Sequence, residues 1–339
     1  MGQSRTRATA DENAAAFIFA TERPKTGQSM NRLKEFVWYH IHGDCEANGL
    51  VLRKYVDMKH LTAQDRLDLA FFYTLTYSVP TAVLLLGKRD RFARAEPEEL
   101  NRMKDTLFFQ SDRKYMAMRD CFAKSIAEWN RTIRGCAPSL TFALTRYGML
   151  RDTALQTVEG WYGVGRYAAC LFLETFCALN DCKANPKIDE HFESGNVFTA
   201  GIFNVFGNDR AADRIDKHGA KPEDEEPARK RLAAIRAAVR AAGGEDNYYY
   251  IETTLCAYRK HFKGTRYNGY YADRQLDEIK RYERSGGNAG LCSDLYRARR
   301  QAMPPQYLGE IGGWSGIRPE LKKSYLNGRG IIGRGKADA

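Results

Sequence analysis

The sequence predicts an all-α protein. Apolar residues recur at helical spacing almost everywhere from Asn31 onward, and convincing strand-like alternation is scarce. A tight Gly163-Val164-Gly165 turn runs straight into an apolar helical stretch, roughly Arg166 to Leu179. The composition, 43% hydrophobic and 28% charged over 339 residues, is that of a globular chain with ample core, enough for one large domain or two of ordinary size.

Taken in order, residues 1–28 form a polar arm with one short helical attempt near Glu12 to Thr21. Asn31–His42 carries apolar residues at helical period and stops at Gly43-Asp44. Thr62–Ser78 opens with a Thr cap and has Asp65 in its first turn, with Pro80 beyond its end. Glu96–Phe109 and Asp112–Trp129 read as two helices separated by Gln110-Ser111. Pro138 opens another that ends by Gly148, and Leu150–Val158 leads into the glycine turn. Further on, Glu223-Asp224-Glu225-Glu226 and Pro227 precede an Ala/Arg-rich helix stopped by Gly243-Gly244. Acids before and bases within suit the helix dipole, and the expected setting is a solvated surface. Asn247–Arg274 reads as a helix to about His261 and then an aromatic, glycine-containing loop. This divides the chain into an arm (1–28), a helical domain (29–285) and a basic C-terminal extension (286–339). From Tyr296 to Ala339 nine Lys/Arg stand against three Asp/Glu, a net +6 (9 − 3 = 6).

A formal charge of +11 favours a polyanionic partner, nucleic acid first among them. None of the eight Cys pairs at Cys-x-x-Cys spacing, so no zinc ribbon is expected and the thiols read as reduced, in a cytoplasmic setting. No signal peptide, lipidation signal or bilayer-length apolar run is evident, so no membrane association is expected. There is no Walker loop, dinucleotide fingerprint or internal repeat.

The stretch Glu159 to His191 carries the most specific chemistry. Glycines on both sides of Val164 allow close approach of another backbone, and the helix N-terminus behind them offers N–H groups to a phosphate. An isolated carboxylate, Asp189, follows 24 positions beyond Gly165 (189 − 165 = 24) in an Ile-Asp-Glu-His context. A second stretch places Glu252, Cys256 and Arg259 three and four apart, so they share a helix face. Lys260, Lys263, Arg266 and Arg274 lie close by in sequence.

The first stretch resembles the helix-hairpin-helix of the DNA glycosylase superfamily, whose hairpin precedes a catalytic aspartate. That resemblance implies a two-lobed helical fold that flips a base out of the duplex. It implies that Gly163, Gly165, Arg166 and Tyr167 meet the DNA strand and that Asp189 sits in the pocket. Tyr167 stands where bifunctional glycosylase/lyases place a Lys, and the family's four-Cys cluster loop is missing. The segments NRLKEFVWYHIHGD, GWYGVGRYAACLFLE and ETTLCAYRKHFKGTRYNGYYADR together resemble the phage α-glutamyl/putrescinyl thymine pyrophosphorylases, or amino acid:DNA transferases. In that group a hydroxymethyl on 5-hydroxymethyluracil is converted to a pyrophosphate ester. The transferase then displaces pyrophosphate with the amine of an amino acid or polyamine.

The implied partners are therefore DNA carrying a modified thymine and a small amine; no cofactor is implied, although a divalent cation such as magnesium is compatible with pyrophosphate release. The expected bases are Asp189 and Glu252, with Glu174 behind them. Cys256 is the candidate nucleophile toward the pyrimidine, and a small buried side chain is the competing explanation. Arg259, Lys260, Lys263, Arg266 and Arg274 are the expected pyrophosphate contacts. His40 and His42 read as structural, and no metal ligand set is expected. The two competing functions are a DNA glycosylase that releases a modified base, and a non-catalytic DNA-binding module.

Overall fold

The computed structural model describes residues 30, 33–34, 36–37, 47–109, 119–134, 166–180, 196–246, 248–262, 269–303 and 305–309. Among these residues the regular structure is helical and no strand occurs. The helices are α1 (Ala47–Lys59), α2 (Ala63–Thr76), α3 (Val79–Gly87), α4 (Arg89–Arg94), α5 (Pro97–Lys104) and α6 (Phe122–Glu128). A π-helical turn, Trp129–Ile133, continues α6. Then come α7 (Arg166–Asn180), α8 (Asn196–Val205), α9 (Asp209–His218), α10 (Pro222–Ala241), α11 (Tyr248–Phe262), α12 (Tyr270–Arg284) and α13 (Ala289–Ala302).

Local chemistry sets many of these boundaries. Thr62 caps α2 through a reciprocal pair: the Asp65 N–H donates to its hydroxyl at 3.2 Å, and its own N–H donates to Asp65 Oδ2 at 2.9 Å. The helix ends at Tyr77, which takes a left-handed φ of 50°. Pro80, expected to lie beyond a helix ending at Ser78, instead sits in the first turn of α3, where its missing N–H costs nothing. The Val79 N–H there donates to the buried Glu278 carboxylate at 3.3 Å, a negative charge at the positive end of α3. The helix expected over Glu96–Phe109 is shorter and ends at Lys104, and the one expected to end at Trp129 runs on as the π turn. At the other end of the chain α10 starts at Pro222, five residues before the expected Pro227, so its acids lie inside its first turn. Gly243 takes φ 86° just past its end, which agrees with the glycine stop.

Further expectations are corrected. The loop expected to run through Arg274 becomes helix at Tyr270, once Gly269 turns the chain with φ 86°. The segment 286–339 is not wholly an extension, because α13 packs on α1, α3 and α12, with Cys292, Leu295, Ala298 and Arg299 buried. Buried Arg299 donates to the carbonyls of Tyr307 (2.5 Å) and Leu308 (2.6 Å), tying the following turn down as well. Helix α10 also differs from a purely solvated one, since Ala228, Leu232, Ile235, Ala238 and Val239 are buried. The helices expected over 138–148 and 150–158 lie outside the described residues.

Within one continuous hydrophobic core, the most extensive helix–helix contacts fall into two sets. Helix α2 packs on α3 and α7; α1 packs on α7, α12 and α13; and α12 packs on α3. Helix α8 packs on α9, α10 and α11. The helical residue Phe36 meets Tyr258 of α11 edge to face at 5.6 Å. The α8–α11 crossing is close because Gly201 has no side chain: a Cβ there falls 2.8 Å from the Leu255 carbonyl oxygen and 3.0 Å from its Cβ.

Gly201→Ala is therefore expected to push α8 from α11 and lower stability by about 1–3 kcal/mol; a denaturation midpoint equal to wild type contradicts the close crossing. A chain ending at Ser285 uncovers α1 and is expected to lose its cooperative thermal transition. An unchanged transition in that chain restores the boundary at 286.

Candidate functional site

Helix α11 combines a buried face with a half-buried polar one. Tyr250, Ile251, Thr254, Leu255, Ala257, Tyr258 and Arg259 are buried. Glu252, Thr253, Cys256 and Lys260 are half-buried. At about 100° per residue those four fall within an arc of roughly 100°. A carboxylate, a hydroxyl, a free thiol and an ammonium thus form one partly accessible strip on a helix otherwise packed into the protein. Such a strip supplies a proton acceptor, a soft nucleophile and a cation within two turns.

Arg259 was expected on this face as a pyrophosphate contact; the structure places its guanidinium in the interior, 1% exposed. Its Nε donates to Asp216 Oδ2 at 3.0 Å, and Nη2 donates to the same oxygen at 2.8 Å and to Asp213 Oδ1 at 2.6 Å. Nη1 donates to Asn204 Oδ1 at 2.5 Å. The group ties α11 to α9 and α8. Sequence reasoning missed Asn204, Asp213 and Asp216. The available signal was a run of acids on one face of α9, Asp209, Asp213 and Asp216, spaced four and three apart.

Arg274 is likewise buried, on α12, which belongs to the other helical group. The two guanidiniums and Lys260 therefore do not form one open cationic cluster. Lys263 and Arg266 lie outside the described residues, as do Gly163, Gly165 and Asp189. Arg166 and Tyr167 open α7, and their side chains also lie outside what is described.

Glu174 is half-buried on α7. This helix packs on α1 and α2, and two guanidiniums approach its last carbonyls: Arg53 Nη1 is 3.5 Å from Ala178 O, and Arg66 Nη1 is 3.5 Å from Leu179 O. Cations at that end complement the helix dipole. The opposite, positive end begins at Arg166, immediately behind the glycine turn.

A second charged fastening precedes α11. Arg236 Nε donates to Asp246 Oδ1 at 2.6 Å, and Arg240 pairs with Oδ2. Burial alone raises the Asp246 carboxyl, but hydrogen bonds from Arg236 and Arg240 and their charges outweigh it and hold it below the usual range. The buried Asp68 shows the opposite balance: burial raises it despite hydrogen bonds from Trp129 Nε1 (2.9 Å) and Gln64 (2.7 Å).

Among the described residues there is no group of three or more His, Cys, Asp or Glu placed to hold a metal ion, and no helix is long and apolar enough to cross a membrane. No protein-family model matches the chain, and neither curated proteins nor solved structures give a match.

The depressed Asp246 carboxyl has a definite acid signature. Its contribution to stability is fully present above the unfolded value of about 3.9 and is lost as pH falls through the lower native value. The stability difference between wild type and Asp246→Asn, measured by denaturation from pH 6 downward, is expected to shrink below about pH 4. A difference that grows on acidification contradicts the pairing.

Proposed function

We propose that this chain is a group-transfer enzyme acting on a thymine-derived base in DNA. It displaces pyrophosphate from a 5-(pyrophosphoryloxymethyl)uracil with the amine of an amino acid or polyamine. One observation carries the reading beyond the sequence resemblance. The half-buried strip of α11 belongs to one helical group, and α7, which follows the glycine turn, belongs to the other. Segment 181–195, which holds Asp189, links α7 to α8 in sequence, and segment 263–268, which holds Lys263 and Arg266, links α11 to α12. Apart from Arg274, which is buried on α12, the residues singled out for chemistry thus lie in the Gly163–Gly165 stretch, on α7 or α11, or in the sequence that joins α7 to α8 and α11 to α12.

In this reading the N–H groups at the start of α7 hold a phosphate beside the flipped nucleotide. The amine nitrogen attacks the methylene on C5 of the base, the carbon–oxygen bond to pyrophosphate breaks, and pyrophosphate leaves with the bonding electrons. Asp189 or Glu252 takes the proton that the attacking nitrogen loses. Lys260, Lys263 and Arg266 meet the leaving charge; Arg259 takes no part in that contact, because its donors are engaged by Asp213, Asp216 and Asn204. A covalent variant begins with the Cys256 thiolate adding to C6, which expels pyrophosphate and leaves an exocyclic methylene. The amine then adds to that methylene, and the thiolate departs as the ring double bond re-forms. The register of the α8–α11 contact, Gly201 beside Leu255 and Asn204 beside Arg259, directs the start of α8 toward the Glu252 end of α11. Asp189 lies seven positions before that start (196 − 189 = 7).

The test is to treat DNA containing 5-(pyrophosphoryloxymethyl)uracil with the protein and a panel of amines, digest it to nucleosides and weigh the products. A nucleoside heavier by the amine, with release of pyrophosphate, is expected. Release of a free base with an abasic site identifies a glycosylase instead, and unaltered nucleosides with tight DNA binding identify a binding module. Asp189→Asn is expected to keep DNA affinity and lose about a hundredfold to ten-thousandfold in transfer rate. Transfer by that variant at the wild-type rate removes Asp189 from the mechanism.

A further inference from the structure

We propose that Asp216 and Asn204 are positioning residues that act through Arg259 to set the rotation of α11, and with it the direction in which Glu252, Cys256 and Lys260 are presented. The proposal rests on the reading of that strip as the reacting face.

The contact between α8 and α11 at Gly201 fixes how closely the helices approach. Rotation needs a directional restraint, and Arg259 supplies one. It lies at the edge of the half-buried arc, roughly 20° from Glu252 at 100° per residue. Its guanidinium is 1% exposed and engages acceptors on two other helices: Asn204 on α8, and Asp213 and Asp216 on α9. A roll of α11 in either direction pulls this buried cation from its acceptors, and an uncompensated buried charge is strongly unfavourable. Of the two carboxylates, Asp213 is 47% exposed and Asp216 12%, so Asp216 holds the better-shielded contact. Asn204 is itself oriented, because its Nδ2 donates to Asp209 at 3.0 Å and so turns its Oδ1 toward Arg259.

The experiment uses the full chain with Asp216→Asn, which keeps shape but removes the charge, and Asp216→Glu as the conservative variant. The first readout is alkylation of each cysteine by iodoacetamide, followed by peptide mass. The second is kcat and KM for amine transfer to DNA. In Asp216→Asn, Cys256 is expected to alkylate severalfold faster while Cys121, Cys177 and Cys292 keep their wild-type rates. The kcat is expected to fall by about ten- to a hundredfold, as misplacement of reacting groups does, with KM for DNA close to wild type because α7 lies in the other group. Asp216→Glu is expected to recover most of both. A folded Asp216→Asn whose Cys256 alkylates at the wild-type rate overturns the proposal, and so does an equal rise at Cys121, Cys177, Cys256 and Cys292, which signals general loosening. If Asp216→Asn does not fold, Asn204→Ala carries the same expectations and the same contradictions. If the wild type transfers no amine, the function reading fails, while the alkylation rates still decide the role of Asp216.

Discussion

The packing of α2 constrains everything around it. Leu67 through Thr76 are all buried, so this helix has no exposed face along more than two turns and must be enclosed by others. Its polar groups are satisfied internally. Thr74 donates to Ala70 O and Thr76 to Phe72 O, each at 2.9 Å, and Asp68 accepts from Trp129 and Gln64. Helix α3 doubles back on it, α7 lies along it, and the π turn brings the Trp129 indole to Asp68. Because α7 is held in this way, with Arg53 and Arg66 near its negative end, the position of its positive end behind Gly165 follows from the core.

Much of this was legible in the sequence where the determinants are local. The Thr62 and Asp65 cap and the glycine stop at Gly243 each depend on residues within one turn of the boundary. The misjudged elements depend on distant partners or on ambiguous punctuation. Pro80 marks a helix start as readily as a stop, and the choice fell with Glu278, 199 positions away, which meets the N–H of Val79. Helix α12 buries Asp273, Arg274, Gln275, Asp277 and Glu278, residues that sequence patterning assigns to the surface. The Ala/Arg/Tyr composition of α13 gave the look of a basic tail because its partners, α1 and α3, are more than two hundred residues earlier. The same holds for Arg259: the sequence shows a cation beside a thiol and a carboxylate, while its burial depends on Asp213 and Asp216, 46 and 43 positions away.

For the proposed function the consequence is a division of labour. Helix α7 is held by α1 and α2, and α11, with its half-buried strip, is held by α8 and, through Arg259, by α9. In the proposed reaction α7 lies on the side that grips the strand and α11 on the side that addresses an extruded base. The burial of Arg259 gives it a structural place, holding α11 against α8 and α9.

The central claim is that the target base meets the strip on α11. Photocross-linking tests it most directly: a DNA duplex carrying 5-iodouracil at the target position is irradiated with the full chain, and the attached peptides are identified by mass. The account predicts cross-links on α11, within Tyr248–Phe262, centred on Glu252, Cys256 and Lys260. Cross-links confined to helices α1–α6, α12 or α13, with α11 unlabelled, contradict it.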